Sequence, residues 1–152
     1  HYRHHFEPSQ RWPRPHAILA VAAIVSETQQ RADLLVRAQE LSTARLRQGR
    51  PAPLPSPEEA AAHHWTLTER NLAAQSRGHL LAGTPEVVVA RLRSLVESTL
   101  ADEVIVVTQI HDPAERRESY ALLANAWGLT PPRLAERTVV ARGDVSQVTA
   151  PR

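Results

Sequence analysis

The sequence has no cysteine, no methionine and no lysine, and it has only five glycines and one phenylalanine. Without cysteine there are no disulfides and no thiolate metal ligands, which is compatible with a reducing compartment, and the expected location is cytoplasmic. Without lysine, all 18 basic residues are arginine. The guanidinium keeps its proton to very high pH, so the pI near 9.9 overstates the charge of the chain. The formal net charge is only +2. The arginines are spread among Glu and Asp in the manner of solvated helix faces, and the clustered charge that nucleic acid requires is missing. No apolar run approaches the roughly 20 residues of a membrane span; the longest is Ala17 to Val25. The polar start His1-Tyr2-Arg3-His4-His5 does not read as a secretory signal. A primary product begins with Met, so the chain is expected to be a processed or truncated piece, with trimming of the initiator Met alone as the alternative. The few glycines form neither G-x-G-x-x-G nor a Walker sequence. No G-x-S-x-G and no H-E-x-x-H occurs.

The chain is ordinary for a soluble domain in being 42% hydrophobic and 22% charged. Its 152 residues can bury one core. Residues 1–15 are polar and rich in proline, with Tyr2, Phe6 and Trp12 as anchors. Ala17–Val25 is continuously apolar and does not alternate, which predicts a strand buried on both faces, as in a helix-covered parallel sheet. Ser26-Glu27-Thr28 opens a helix over 28–48 with Leu34, Ala38 and Leu41 at helical spacing. Gly49 ends it, and Pro51, Pro53, Pro55 and Pro57 make a stiff connector. A helix over 58–76, broken near Trp65-Thr66, precedes a short strand, 79–82. Thr84 as cap, Pro85 at the first helical position and Glu86 in the first turn start a helix reaching Leu100. Its buried face is Val88, Leu92, Leu95, Val96 and Thr99. A strand over 103–110 and a helix over 113–127, stopped by Gly128, follow. Residues 129–152 read as a disordered tail.

Strand, helix, extra helix, strand, helix, strand, helix is an α/β order with a parallel sheet. Three strands leave two unpaired edges, while a closed barrel needs eight in roughly 250 residues, or about 30 per unit. The fold class expected from the residues is therefore α/β, about three βα units of a partial (β/α)8 TIM barrel plus an extra helix, over residues 1–128.

Three blocks carry a resemblance. The first is Phe6 to Glu27, with an F-x-P-S segment before an apolar strand. The second is Leu81-Ala82-Gly83-Thr84-Pro85-Glu86 with Val88 and Arg91-Leu92. The third is Ala101-Asp102-Glu103-Val104-Ile105-Val106-Val107-Thr108-Gln109-Ile110-His111-Asp112 with Ser119-Tyr120 and Leu122-Leu123. Together they resemble the C-terminal portion of luciferase-like, flavin-dependent monooxygenases. That resemblance implies a (β/α)8 barrel with reduced flavin mononucleotide (FMN), or a deazaflavin in some members, at the C-terminal mouth of the strands. There, reduced flavin and molecular oxygen oxidise a small organic substrate. It also implies that most flavin contacts come from strands outside this sequence. The remainder of the barrel, or a homodimer partner, is then the expected partner, and no catalytic residue is carried over.

Barrel sites lie where strands exit into helices. The candidate pocket residues are therefore Ser26, Thr108, Gln109 and His111, with Thr108 and Gln109 as hydrogen-bonding groups and His111 as a proton donor. A strand end, a wall residue and a helix cap at Asp112 would explain the same residues without any chemistry. Thr84 is a plain cap rather than a phosphate site. The adjacent His63-His64 point to different sides of a helix and make a poor chelate, so no metal is expected. Glu58-Glu59 and Glu115-Arg116-Arg117-Glu118 read as solvated faces. Two other readings stay open: a non-enzymatic α/β interaction domain pairing through exposed strand edges, and a stand-alone flavodoxin-like domain.

Overall fold

The computed structural model describes residues 1–129. Segment 130–152, expected above to belong to a disordered tail, lies outside the described residues.

Ile18, Val21, Ile24 and Val25 are β-branched and favour extended chain, and strand β1 spans Ile18–Val25. The Thr28 hydroxyl accepts the Arg31 N–H at 3.2 Å and opens helix α1, Gln29–Arg47. The proline connector ends at Ser56, whose hydroxyl and the Glu59 carboxylate cap each other's backbone at the start of α2, Pro57–Ala62. Thr66 and Glu69 repeat the device for α3, Leu67–Ser76. The expected single helix with a break is thus two helices, each with its own start signal. Strand β2 is Leu80–Gly83, helix α4 is Pro85–Thr99, strand β3 is Glu103–Val107 and helix α5 is Pro113–Trp127. Thr84 takes the cap position of α4, yet its hydroxyl makes no cap hydrogen bond. Thr99, expected on the buried face of α4, is exposed, and Val89 is buried instead.

The sheet corrects two expectations. Consecutive barrel units would give the order β1-β2-β3, whereas the three parallel strands run β2-β1-β3. The chain leaves β1 to one side through α1, α2 and α3, then returns past it to the other side through α4. Crossovers of one hand in opposite directions lie on opposite faces, and they do here. On one face Ile24 packs with Leu35 of α1, Ile110, Leu80 and Ala82. On the other, Val21, Ala23, Val25 and Leu81 pack with Val88, Val89 and Leu92 of α4 and Leu123 of α5. Helix α2 lies against α1 through Ala38, Leu41 and Ala60. Only β1 and β3, backed by α4 and α5, therefore have the relation of neighbouring barrel units. The stretch from α1 to β2 is an excursion from them.

The second correction concerns burial. β1 is covered on both faces only at its C-terminal end. Ile18 is 54% exposed, Ile105 52% and Val107 48%. The register pairs Ala20 with Ile105 and Ala22 with Val107, so these side chains share one face, the face that α1 covers only near Ile24. β3 also ends at Val107 rather than Ile110. Backbone groups alternate sides along a strand. The Ser26 N–H reaches the Gly83 carbonyl on the β2 side and the Glu103 N–H reaches the Ala17 carbonyl on the β3 side. Ile18 and Ala20 therefore turn their N–H and C=O toward β2, which begins only opposite Ala22.

At the other end of the sheet, the Asp102 carboxylate accepts the Ala17 N–H at 2.8 Å and pairs with Arg3 at 2.5 Å. Arg3 also donates to the carbonyl of Leu100, which closes α4 in the left-handed conformation. The Ala17 N–H, then Arg3, hold the Asp102 carboxyl below its usual range.

Two outcomes are expected. Gly83 has φ +148°, and a Cβ there would stand 2.9 Å from Gln29 Oε1 and 3.2 Å from Val87 Cγ1. Gly83→Ala should cost about 1–3 kcal/mol, read as a lower midpoint in urea unfolding. Because the folded pKa of Asp102 is depressed, its contribution is complete above about pH 4 and fades as pH falls through the folded value. Thermal midpoints measured from neutral to acid pH should fall less steeply for Asp102→Asn than for the parent.

Candidate functional site

Two neighbouring residues of α5 end two different strands. The Ser119 hydroxyl, 1% exposed, accepts the Val25 N–H at 2.9 Å beyond the point where β3 stops pairing with β1. The Tyr120 hydroxyl accepts the Thr108 N–H at 2.9 Å on the outer side of β3. Backbone groups that leave a ladder inside a fold need a substitute partner, and one turn of α5 supplies both. The exits of β1 (26–28) and β3 (108–112) are thereby fixed side by side.

The excursion is tied to the same place. Arg31 of α1 donates through Nε and Nη2 to the two carboxylate oxygens of Glu115, at 2.6 and 2.9 Å. This fork-to-fork pair, with the planar geometry that Arg favours, raises the Arg31 pKa, mainly through the hydrogen bond to Glu115. Glu58 stands 3.9 Å from Arg31. His111 Nδ1 donates to the Leu54 carbonyl of the proline connector at 2.7 Å. Asp112 accepts the Ala114 and Glu115 N–H groups at 2.6 and 2.8 Å, which lowers its pKa.

Of the four residues singled out from sequence, Ser26 lines a cleft of about 180 Å³ with Thr28, Arg31, Glu115 and Ser119. Thr108 is only 6% exposed. Gln109 is exposed, and Ile110 beside it is buried against Ile24 and Leu35. His111 is exposed, with its Nδ1 engaged by the Leu54 carbonyl of the connector. Ser26 thus lines a cleft that the other three do not line, and no described cavity gathers Thr108, Gln109 and His111. Ligand pockets run to about 300–1,000 Å³, so the Ser26 cleft does not accommodate a flavin ring system. Among the described residues, these four do not build a flavin site by themselves.

Sequence reasoning missed Ser119, Tyr120, and the Arg31–Glu115 pair, whose Glu115 was read as part of a solvated face. Ser119-Tyr120 stood inside the third resemblance block, but nothing in its spacing shows which strand each hydroxyl meets. His63, dismissed as a chelate, contacts the Glu69 carboxylate at 3.2 Å. Among the described residues no cluster of three or more His, Asp or Glu is placed to hold a metal. No helix there is long and apolar enough to cross a membrane.

No protein-family model matches the sequence. The chain is similar to an uncharacterized protein, YceB, of Bacillus subtilis (strain 168), 31% identical over 123 residues, which are 81% of this chain and 37% of that protein. It is similar to a luciferase-like monooxygenase of Escherichia coli (strain K12), 30% identical over 121 residues, 80% of this chain and 36% of that protein. It is also similar to the crystal structure of apo-MsnO8, with TM-score 0.71 and 30% identity over 86% of this chain and 40% of that one. The chain therefore spans well under half the length of the proteins it matches.

Ser119→Ala leaves the buried Val25 N–H without a partner and should cost about 1–3 kcal/mol. Equilibrium unfolding measures the loss, and amide exchange should speed up most at Val25. An unchanged exchange pattern would contradict the assigned role of Ser119.

Proposed function

We propose that this chain is part of a luciferase-like, flavin-dependent monooxygenase, a partial (β/α)8 barrel that contributes β1 with α4 and β3 with α5. One observation carries the reading: two adjacent parallel strands are backed by α4 and α5 on one face, and their other face, which α1 covers only near Ile24, is apolar and open at Ile18, Ile105 and Val107. In a barrel all helices lie outside and the inner face is filled by side chains from several strands. Ile18, Ala20, Ile105 and Val107 are then inner residues awaiting neighbours. The E. coli protein of that family name matches the chain over only a third or so of its own length, which agrees with a part rather than a whole.

On this reading the cofactor is FMN, with a deazaflavin as the alternative, and the bound flavin supplies the oxygen chemistry on a small organic substrate. The chain's own residues do the positioning. Ser26 and Gln109 are wall residues of the completed pocket. Thr108 and His111 set backbone, since the N–H of one and the ring of the other are already engaged. Arg31–Glu115 holds the excursion against the exit of β3. A non-enzymatic reading, a dimer formed through strand edges, draws on the outward backbone groups of Val104 and Val106. A dimer by size-exclusion with light scattering that never takes up flavin would favour it.

Oxidised and anaerobically reduced FMN, titrated against the 152-residue chain alone, should show no micromolar binding; micromolar affinity would contradict an incomplete site. The second arm is a hybrid in which this chain replaces the matching segment of the E. coli luciferase-like monooxygenase, assayed beside its parent. If the parent binds FMN, a folded hybrid should bind it too, and a folded hybrid that does not would sink the assignment.

A further inference from the structure

We propose that the cleft along the free edge of β2 binds an extended acidic segment of polypeptide, which adds to the sheet as a fourth strand. Among the described residues β2 pairs only with β1. Its Gly83 carbonyl is taken by the Ser26 N–H, so by alternation Leu81 and Gly83 face β1 while Leu80 and Ala82 turn their N–H and C=O outward. Leu80 and Ala82 are also the two β2 residues that line a cleft of about 580 Å³ between α1 and α4. The floor of that cleft is therefore a row of backbone donors and acceptors that no strand among the described residues uses, the surface to which an added strand binds.

The walls specify the charge of the occupant. Arg37 comes from α1, Arg91 from α4, and Arg77 from the turn before β2. Arg37 and Arg91 make no ion pair among the described residues. Arg77 is held in place by Glu40, which is 5% exposed. The carboxylate in the cleft, Asp33, accepts from Gln29 Nε2 at 2.8 Å and acts electrostatically on Arg77, so the excess positive charge of the cleft rests with Arg37 and Arg91. Leu34 and Val36 add apolar wall beside Leu80. An incoming strand with carboxylates on its margins and small apolar residues between them satisfies both features. The groove beside the opposite edge, at β3, carries Asp102 and Glu103 instead, so the basic character belongs to the β2 edge specifically. Charged residues can also guard an edge against any added strand, and the test separates guarding from binding.

The probe is a fluorescein-labelled peptide of alternating Glu and Val, compared with one of alternating Lys and Val, by anisotropy on the 152-residue chain. Saturable binding of the Glu peptide alone is expected. It should weaken about tenfold or more in the doubly substituted Arg37→Glu, Arg91→Glu variant, whose exposed positions leave the circular dichroism spectrum and melting point unchanged. Amide exchange should slow at Leu80 and Ala82 on binding. Three results would each overturn the proposal: no binding of the Glu peptide, equal affinity for the folded double variant, or binding without protection of those two amides. Full displacement by millimolar inorganic phosphate would reduce the cleft to a simple anion site and overturn it as well. The test is independent of flavin, so its failure leaves the monooxygenase reading untouched.

Discussion

Everything in this fold hangs on the backbone of β1. A central strand must place hydrogen bonds on both sides, and each segment that satisfies it comes from a different part of the chain. β3 serves one side over Ile18–Ala22, and β2 serves the other over Ala22–Val25. Ser119 takes the Val25 N–H where β3 has ended. The two strands meet β1 at opposite ends and on opposite sides, so the sheet is offset rather than square. The offset leaves Ile18 and Ala20 with an open edge, and it exposes the apolar face they share with Ile105 and Val107.

The excursion from α1 to β2 has the opposite character. It is well capped and firmly anchored, with two reciprocal capping boxes, a fork-to-fork Arg31–Glu115 pair and the His111 contact to Leu54. Its attachments concentrate at the exits of β1 and β3, whereas α2 packs on α1 and away from the sheet. A segment inserted between a strand and the helix that backs it disturbs the strand pair least when it is pinned at the strand ends.

Much of this was legible in the sequence because local chemistry decided it. Thr28, Thr66, Pro85, and Asp112 with Pro113 announce helix starts, and Gly49 and Gly128 announce stops, whereas Ser56 with Pro57 reads as the end of the connector and turns out to open α2. The apolar runs marked the strands. Strand order was not legible, because a βα repeat reads the same whether the next strand lies to the left or the right. The open face was hidden for a related reason: continuous apolar sequence shows what a strand is fit to bury against, not whether that neighbour is present. The Arg31–Glu115 and Ser119–Val25 pairings join residues 84 and 94 positions apart, and no periodicity reaches that far. Gln109 is exposed and Ser26 partly so, while the Thr108 N–H and one ring nitrogen of His111 make scaffold contacts that no local pattern announces.

The adjacency of Ser119 and Tyr120 has a mechanical consequence. They sit on consecutive residues of one rigid helix, yet each grips the end of a different strand. A slide or roll of α5 must therefore drag both exit loops in concert, so the gap between those loops is conserved even when their absolute position is not. Packing changes far down α5, around Leu123 or Trp127, would be transmitted to both loops as one motion, and the helix acts as a yoke across the mouth of the strand pair.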